Sequence, residues 1–184
     1  MKPILYIFGD SFSSDHIDSN CWINLLLEKF EVINFSQRGI SEYRIWKNYK
    51  KIKNTIKDNS NILFCHTNPL RIYLKDSYSI LSRNLESHSK CDIILEDIYS
   101  KKEKKLIEAV ESIWDEEYFE DHFNFICNEL LQIKNSYHIT FFESNRQFIN
   151  LNYVWKAYAG DINHLNLQGN RIVTDKIFNL IPSV

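Results

Sequence analysis

Apolar residues in this chain come in two rhythms that alternate along its length. The runs Ile4–Phe8, Val32–Phe35, Asn61–Cys65 and His138–Phe142 are short and mostly apolar, as strands buried on both faces are. Between and after them lie stretches whose apolar residues recur at spacings of three and four, the period of a helix. These are Trp22 to Phe30, Ser41 to about Ile56 with Ile45, Tyr49, Ile52 and Ile56 in a stripe, Tyr118 to Ile133, and Leu167 to Ile181. A doubly buried strand needs helices above and below it, so the alternation predicts an α/β fold with a parallel sheet and helices on both faces. Residues 69–115 break the rhythm. They are too long for a simple connection and carry their own amphipathic pattern at Leu106, Val110 and Trp114, behind the solvated run Lys101-Lys102-Glu103-Lys104-Lys105. The expectation is one domain, 1–184, with a mostly helical insertion, 69–115, over one end of the sheet.

Composition narrows the function classes. With 44% hydrophobic and 14% aromatic residues, and only 4 Gly and 3 Pro, the 184-residue chain is neither disordered nor collagen-like. Its 22 basic and 24 acidic residues create no broad positive field, so neither nucleic acid nor a membrane is an expected partner. No stretch approaches the roughly 18 uncharged apolar residues of a membrane helix. The run Ile4–Phe8 meets Gly9-Asp10 before it could form a signal-peptide core, which leads us to expect a soluble, cytoplasmic protein. Cys21, Cys65, Cys91 and Cys127 lie far apart with no CxxC pair, and are expected to be reduced small hydrophobes. Neither a GxGxxG nor a P-loop is present.

In open parallel sheets, ligands bind beyond the carboxyl ends of the strands. The residues there are Gly9-Asp10-Ser11 after the first predicted strand, Ser36 to Gly39 after the second and His66-Thr67-Asn68 after the third. Asp161-Ile162-Asn163-His164 comes just before the last predicted helix. A phosphoacceptor receiver domain would need an aspartate after the third strand, where His66-Thr67-Asn68 stands. Acyl transfer explains why the observed types belong together. A serine hydroxyl is a weak nucleophile until a neutral imidazole accepts its proton, and the imidazole needs a carboxylate to fix its tautomer. Asp161 and His164, three apart, could form that pair. A glycine at 39 lets a backbone N–H approach a ligand, and the Asn68 amide is a second candidate donor for an oxyanion.

These blocks resemble those of the SGNH/GDSL hydrolase family. Its Gly-Asp-Ser stands as Gly9-Asp10-Ser11, its asparagine five residues before a glycine as Asn34 to Gly39, and its Asp-x-x-His followed by x-Asn-x-x-Gly as Asp161 to Gly169. Gly9, Gly39 and Gly169, three of the four glycines, fall on these positions. The third block departs: the family usually has Gly-x-Asn-Asp, and this chain has His66-Thr67-Asn68-Pro69. The resemblance implies a flavodoxin-like three-layer α/β/α sandwich and an ester hydrolase without metal or organic cofactor. It further implies Ser11 as nucleophile, Asp161 and His164 as orienter and base, and Ser11, Gly39 and Asn68 as the oxyanion hole. The substrate expected is a small-molecule or glycan ester, such as an O-acyl group on a carbohydrate. O-acyl transfer and a weak or inactive binding module on the same scaffold are the alternatives, the latter favoured by the altered third block.

Other polar residues carry weaker readings. His66 and Arg71 are candidate substrate contacts at the same edge. Asp15-His16-Ile17-Asp18 lacks any further ligand spacing, so no metal is expected there. His122 is expected to be solvated on an acidic helix. Tyr73, Tyr78, Tyr99 and Trp114 are expected in a small satellite core, with an acceptor groove as the sharper alternative.

Overall fold

In a computed structural model of the chain, residues 1–14, 20–69, 71–73, 80–81, 90–91, 93–94, 108, 115–160 and 165–182 are described. The first predicted strand forms as β1 (Ile4–Gly9), followed by the short helix α1 (Trp22–Leu25) with a 3-10 turn, and then β2 (Glu31–Asn34). α2 (Glu42–Ile52) starts after Ser41, whose carbonyl accepts the Ile45 N–H, and leads to β3 (Asn61–His66). Beyond β3 the described insertion residues include the two-residue strands β4 (Arg71–Ile72), β5 (Ile80–Leu81), β6 (Lys90–Cys91) and β7 (Ile93–Ile94), with Glu108 helical. β4 pairs with β7 and β5 with β6, both antiparallel. A helical insertion after the third strand therefore accompanies short hairpin-like pairings that the sequence pattern does not reveal. Leu106, Val110, Trp114, Tyr78, Tyr99 and the run 101–105 lie outside the described residues.

The main chain then resumes with α3 (Glu116–Leu131), β8 (Ser136–Thr140), β9 (Ile149–Asn150), α4 (Asn152–Ala157) and α5 (Leu167–Leu180). Asp115 caps α3, its carboxylate accepting the Tyr118 N–H at 3.1 Å, and Asn166 caps α5 by accepting the Gly169 N–H at 3.0 Å. Asn59 and Asn135, one or two residues from the starts of β3 and β8, hold φ near 60°. Asparagine is the commonest non-glycine residue to tolerate that left-handed turn.

The five main strands are all parallel in the order β2-β1-β3-β8-β9, the flavodoxin-like order. Alternation along β1 assigns its two faces. Leu5 and Ile7 pack with Trp22, Leu26, Val173 and Ile177, and so with α1 and α5; Tyr6 and Phe8 pack with Ile45, Ile126 and Leu130, and so with α2 and α3. Full burial of such side chains contributes about 1.5–3 kcal/mol each. Cys21, Cys65 and Cys127 are buried free thiols. Among the described residues no helix is long and apolar enough to cross a membrane.

Gly9, opposite Cys65 at the carboxyl end of the β1–β3 pair, has no room for a side chain. A Cβ there would sit 2.7 Å from Cys65 Cβ and 2.8 Å from the Cys65 carbonyl oxygen, both held by β3. Gly9→Ala must push β1 and β3 apart. We expect a loss of about 1–3 kcal/mol, the range for overpacking, read as a lower urea midpoint at an unchanged m-value.

Candidate active site

Strand register brings three of the candidate groups to one place. Gly9 pairs with Cys65, so Ser11 stands two residues past the end of β1 and Asn68 three residues past its β3 partner. The Gln37 N–H donates to the Gly9 carbonyl at 3.0 Å, which places Gly39 two residues beyond the same point. Gly39 has φ 67°, a left-handed backbone that a side chain would strain. Ser11, Gly39 and Asn68 thus follow the carboxyl ends of β1, β2 and β3, the edge where sheets of this order bind ligands at the β1/β3 switch point.

Sequence and packing hold the Ser11 loop on four sides. The Asp10 carbonyl accepts from Ser13 N–H at 3.2 Å, and the Ser11 carbonyl from Ser14 Oγ at 3.2 Å. The Phe12 carbonyl accepts from Trp22 Nε1 at 2.8 Å, and the Ser13 carbonyl from Asn34 Nδ2 at 2.8 Å. Asn34 Oδ1 in turn accepts the Ser36 N–H, so the asparagine of the second block ties that loop to the first. The Phe12 ring stacks on Phe141 with centroids 4.7 Å apart and meets Trp155 edge-on, anchoring the loop in the core.

Asp10 lies beneath the loop, 1% exposed. Its Oδ1 accepts the Phe12 N–H at 3.0 Å and its Oδ2 the Thr67 hydroxyl at 2.7 Å. Burial pushes the Asp10 carboxyl above the ordinary aspartate range; the Arg71 guanidinium and these two hydrogen bonds act against it, and Glu42 adds to it. Arg71, expected to face substrate, is half-buried, its charge acts inward on Asp10, and its backbone N–H donates to the Asn68 carbonyl at 3.1 Å.

His66 requires a correction. Expected at the substrate surface, it is 1% exposed and both ring nitrogens are engaged: Nδ1 with Glu42 Oε1 at 2.8 Å and Nε2 with His138 Nδ1 at 2.9 Å. Phe148 covers its ring face, centroids 3.9 Å apart. His122, expected to be solvated, is half-buried between Tyr43 and Tyr118. Tyr73 packs on α2, its ring 4.8 Å from Tyr43 and its hydroxyl accepting from Lys47, in keeping with a satellite core.

Asp161 and His164 lie outside the described residues, as do Asp15, His16 and Asp18. Their chain neighbours are tied into the fold. Ala159 and Leu165 form an antiparallel bridge, and the Asn166 N–H donates to the Tyr158 carbonyl at 2.8 Å. Asn170 Oδ1 accepts the N–H of Trp22, the residue whose indole holds the Phe12 carbonyl. Asn170, near the start of α5, thereby joins the core face that anchors the Ser11 loop.

Glu42, His66 and Cys127 are the described side chains that come near enough to share a metal ion, their ligand atoms lying within 4.8 Å of one another. Two ligands at about 2.0–2.1 Å from a tetrahedral ion stand about 3.3 Å apart. The 2.8 Å between Glu42 Oε1 and His66 Nδ1 is the length of a hydrogen bond, and burial, assisted by Glu42, raises the Cys127 thiol far above its usual value. The group as it stands is joined by a proton. Hollows of about 490 Å³ at the start of α5 and about 320 Å³ between β2 and α2 are not lined by Ser11, Gly39 or Asn68 among the described residues, so converging polar groups mark this edge, not volume.

Searches with family models, among the curated proteins and among the solved structures find no match to this chain.

The buried histidine pair has a pH consequence. Burial, helped by the neighbouring His66, lowers the His138 imidazole to about 3. An unfolded histidine takes up its proton near 6.5, so as pH falls from about 6.5 toward 3 the unfolded chain binds more protons and stability is lost. We expect the urea midpoint to drop between about pH 7 and about pH 4.5, and His138→Asn to remove about one proton from that dependence.

Proposed function

We propose that the chain is a serine hydrolase of the SGNH type that cleaves a carboxylic ester, and that its substrate is an O-acyl group on a carbohydrate or a similar small molecule. One observation carries the reading: Ser11, Gly39 and Asn68 follow the carboxyl ends of three adjacent parallel strands, with Gly39 in a left-handed conformation. The roles follow from the chemistry of acyl transfer. Ser11 Oγ attacks the ester carbonyl while His164, oriented by Asp161, takes the hydroxyl proton. The negative charge that develops on the carbonyl oxygen is met by the N–H groups of Ser11 and Gly39 and by the Asn68 amide. Collapse of the tetrahedral intermediate expels the alcohol, which receives the proton from His164. Water then attacks the acyl-serine and gives its proton to the same imidazole; collapse releases the acid and expels the Ser11 oxygen, which takes that proton back from His164.

The buried place of His66 in the third block supports a built oxyanion loop over a decayed one. A side chain at the position where the family carries glycine is seated in a complete hydrogen-bonded pocket, leaving the asparagine two residues on at the edge.

Intact-mass detection of covalent labelling by a small fluorophosphonate tests the reading. We expect one adduct per native chain, and none in Ser11→Ala or His164→Ala. Asn68→Ala should keep the adduct but lower ester turnover about 100- to 1000-fold, the cost of one oxyanion donor. Folded native protein that takes no label at all would transfer the weight to a binding module on the same scaffold.

A further inference from the structure

Below the candidate oxyanion loops runs a line of buried polar groups that the proposed reaction does not use. Ser136 Oγ donates its hydrogen to the Ile133 carbonyl at 2.7 Å, so its 2.9 Å contact with His138 Nε2 must be a bond that it accepts. His138 therefore carries its proton on Nε2, and its Nδ1 is an acceptor. His66 must then donate from Nε2 to that nitrogen. What remains at His66 Nδ1 is one proton shared with Glu42 Oε1 across 2.8 Å, whichever atom holds it. The other oxygen, Glu42 Oε2, accepts the Thr67 N–H at 3.2 Å, and Thr67 passes the connection to Asp10 through its hydroxyl. Glu42 and His66 are 3% and 1% exposed.

The position of Glu42 in the chain gives this line its meaning. It begins α2 only three residues after Gly39, with fully buried Ile40 between, while its carboxylate grips the backbone of the residue preceding Asn68. We propose that Glu42, oriented by His66, is the positioning residue that sets the distance between the two oxyanion loops. The proposal rests on the hydrolase reading for its catalytic consequence, and on geometry alone for the clamp. A buried polar pair is a poor way to gain stability, because apolar residues of similar size often do as well or better. Its value lies in holding one register between the Gly39 loop and the Asn68 loop, whose donors act only on the transition state.

The bonding pattern dictates the test. Glu42→Gln can reproduce both contacts, its amide N–H donating to His66 Nδ1 and its carbonyl accepting from Thr67. Glu42→Met fills similar space and makes neither bond. Thr67→Val keeps the shape and cuts only the link to Asp10. We expect Glu42→Met and Thr67→Val to label with fluorophosphonate to the native stoichiometry but about 10- to 100-fold more slowly, and Glu42→Gln to return to within about threefold of native. Unfolded molecules would lower the stoichiometry and leave the rate of the remainder unchanged, so a merely structural role reads differently. Native rates in Glu42→Met, or a Glu42→Gln as slow as Glu42→Met, would overturn the proposal. If the native chain takes no label, the hydrolase reading falls and amide hydrogen exchange decides the clamp by itself. Protection at Thr67 and Gln37 lost in Glu42→Met and recovered in Glu42→Gln supports it, and protection unchanged in Glu42→Met overturns it.

Discussion

The hydrogen bond from the Thr67 hydroxyl to Asp10, 2.7 Å long and sealed from water, joins the chain just past β1 to the chain just past β3. Everything at this edge of the sheet is arranged around that bond. Asp10 uses its other oxygen to fold the Ser11 loop over the Phe12 N–H, and Thr67 uses its own N–H to hold Glu42 at the start of α2. Three loops that the backbone would otherwise deliver independently are thereby referred to one buried carboxylate and one hydroxyl. The arrangement has an electrostatic cost, visible in the upward push that burial gives Asp10, and the half-buried Arg71 offsets part of it. In a low-dielectric interior such a network is worth having only when its members are satisfied. Both Asp10 oxygens and both Glu42 oxygens have partners.

The two faces of the sheet solve different problems. On the α1 and α5 side the core is apolar and anchors loops by insertion, as Phe12 does against Phe141 and Trp155. On the α2 and α3 side an aromatic layer runs from Phe35 through Phe8 and Phe64 to His138, His66 and Phe148. The histidines enter that layer as flat rings that also carry hydrogen bonds at their edges. One side chain type thus packs like an aromatic and connects like a polar group, which lets a proton-bearing chain cross a core without leaving voids.

Much of this was legible from residue order alone. The strands at Ile4, Val32, Asn61 and His138 and the helices from Ser41, Tyr118 and Leu167 follow from apolar period, and the structure places them within a few positions. β9 and α4 escaped because two and six residues are too short to establish a period. Ser11, Gly39 and Asn68 stand out as candidates because turn chemistry at strand ends is local. Glu42 and His138 were not, and for a physical reason. A glutamate opening a helix reads as an exposed dipole partner, and a histidine opening a strand reads as neutral filler; only tertiary packing shows that they are buried within reach of His66. His66 itself was assigned to the right edge and the wrong side of it, since its position along the strand does not say which way its ring turns.

Residues 69–115 depart from the sheet beside Asn68 and return at Asp115, where an intact helix cap restarts the main fold. The entropy of closing such an excursion grows only with the logarithm of its length, about 0.6 kcal/mol for each doubling. Changes in the length of this segment therefore cost the five-stranded scaffold little, whereas loss of any one member of the Asp10–Thr67–Glu42 connection leaves a buried polar group without its partner. A tolerant excursion and an exacting joint thus stand side by side along one chain.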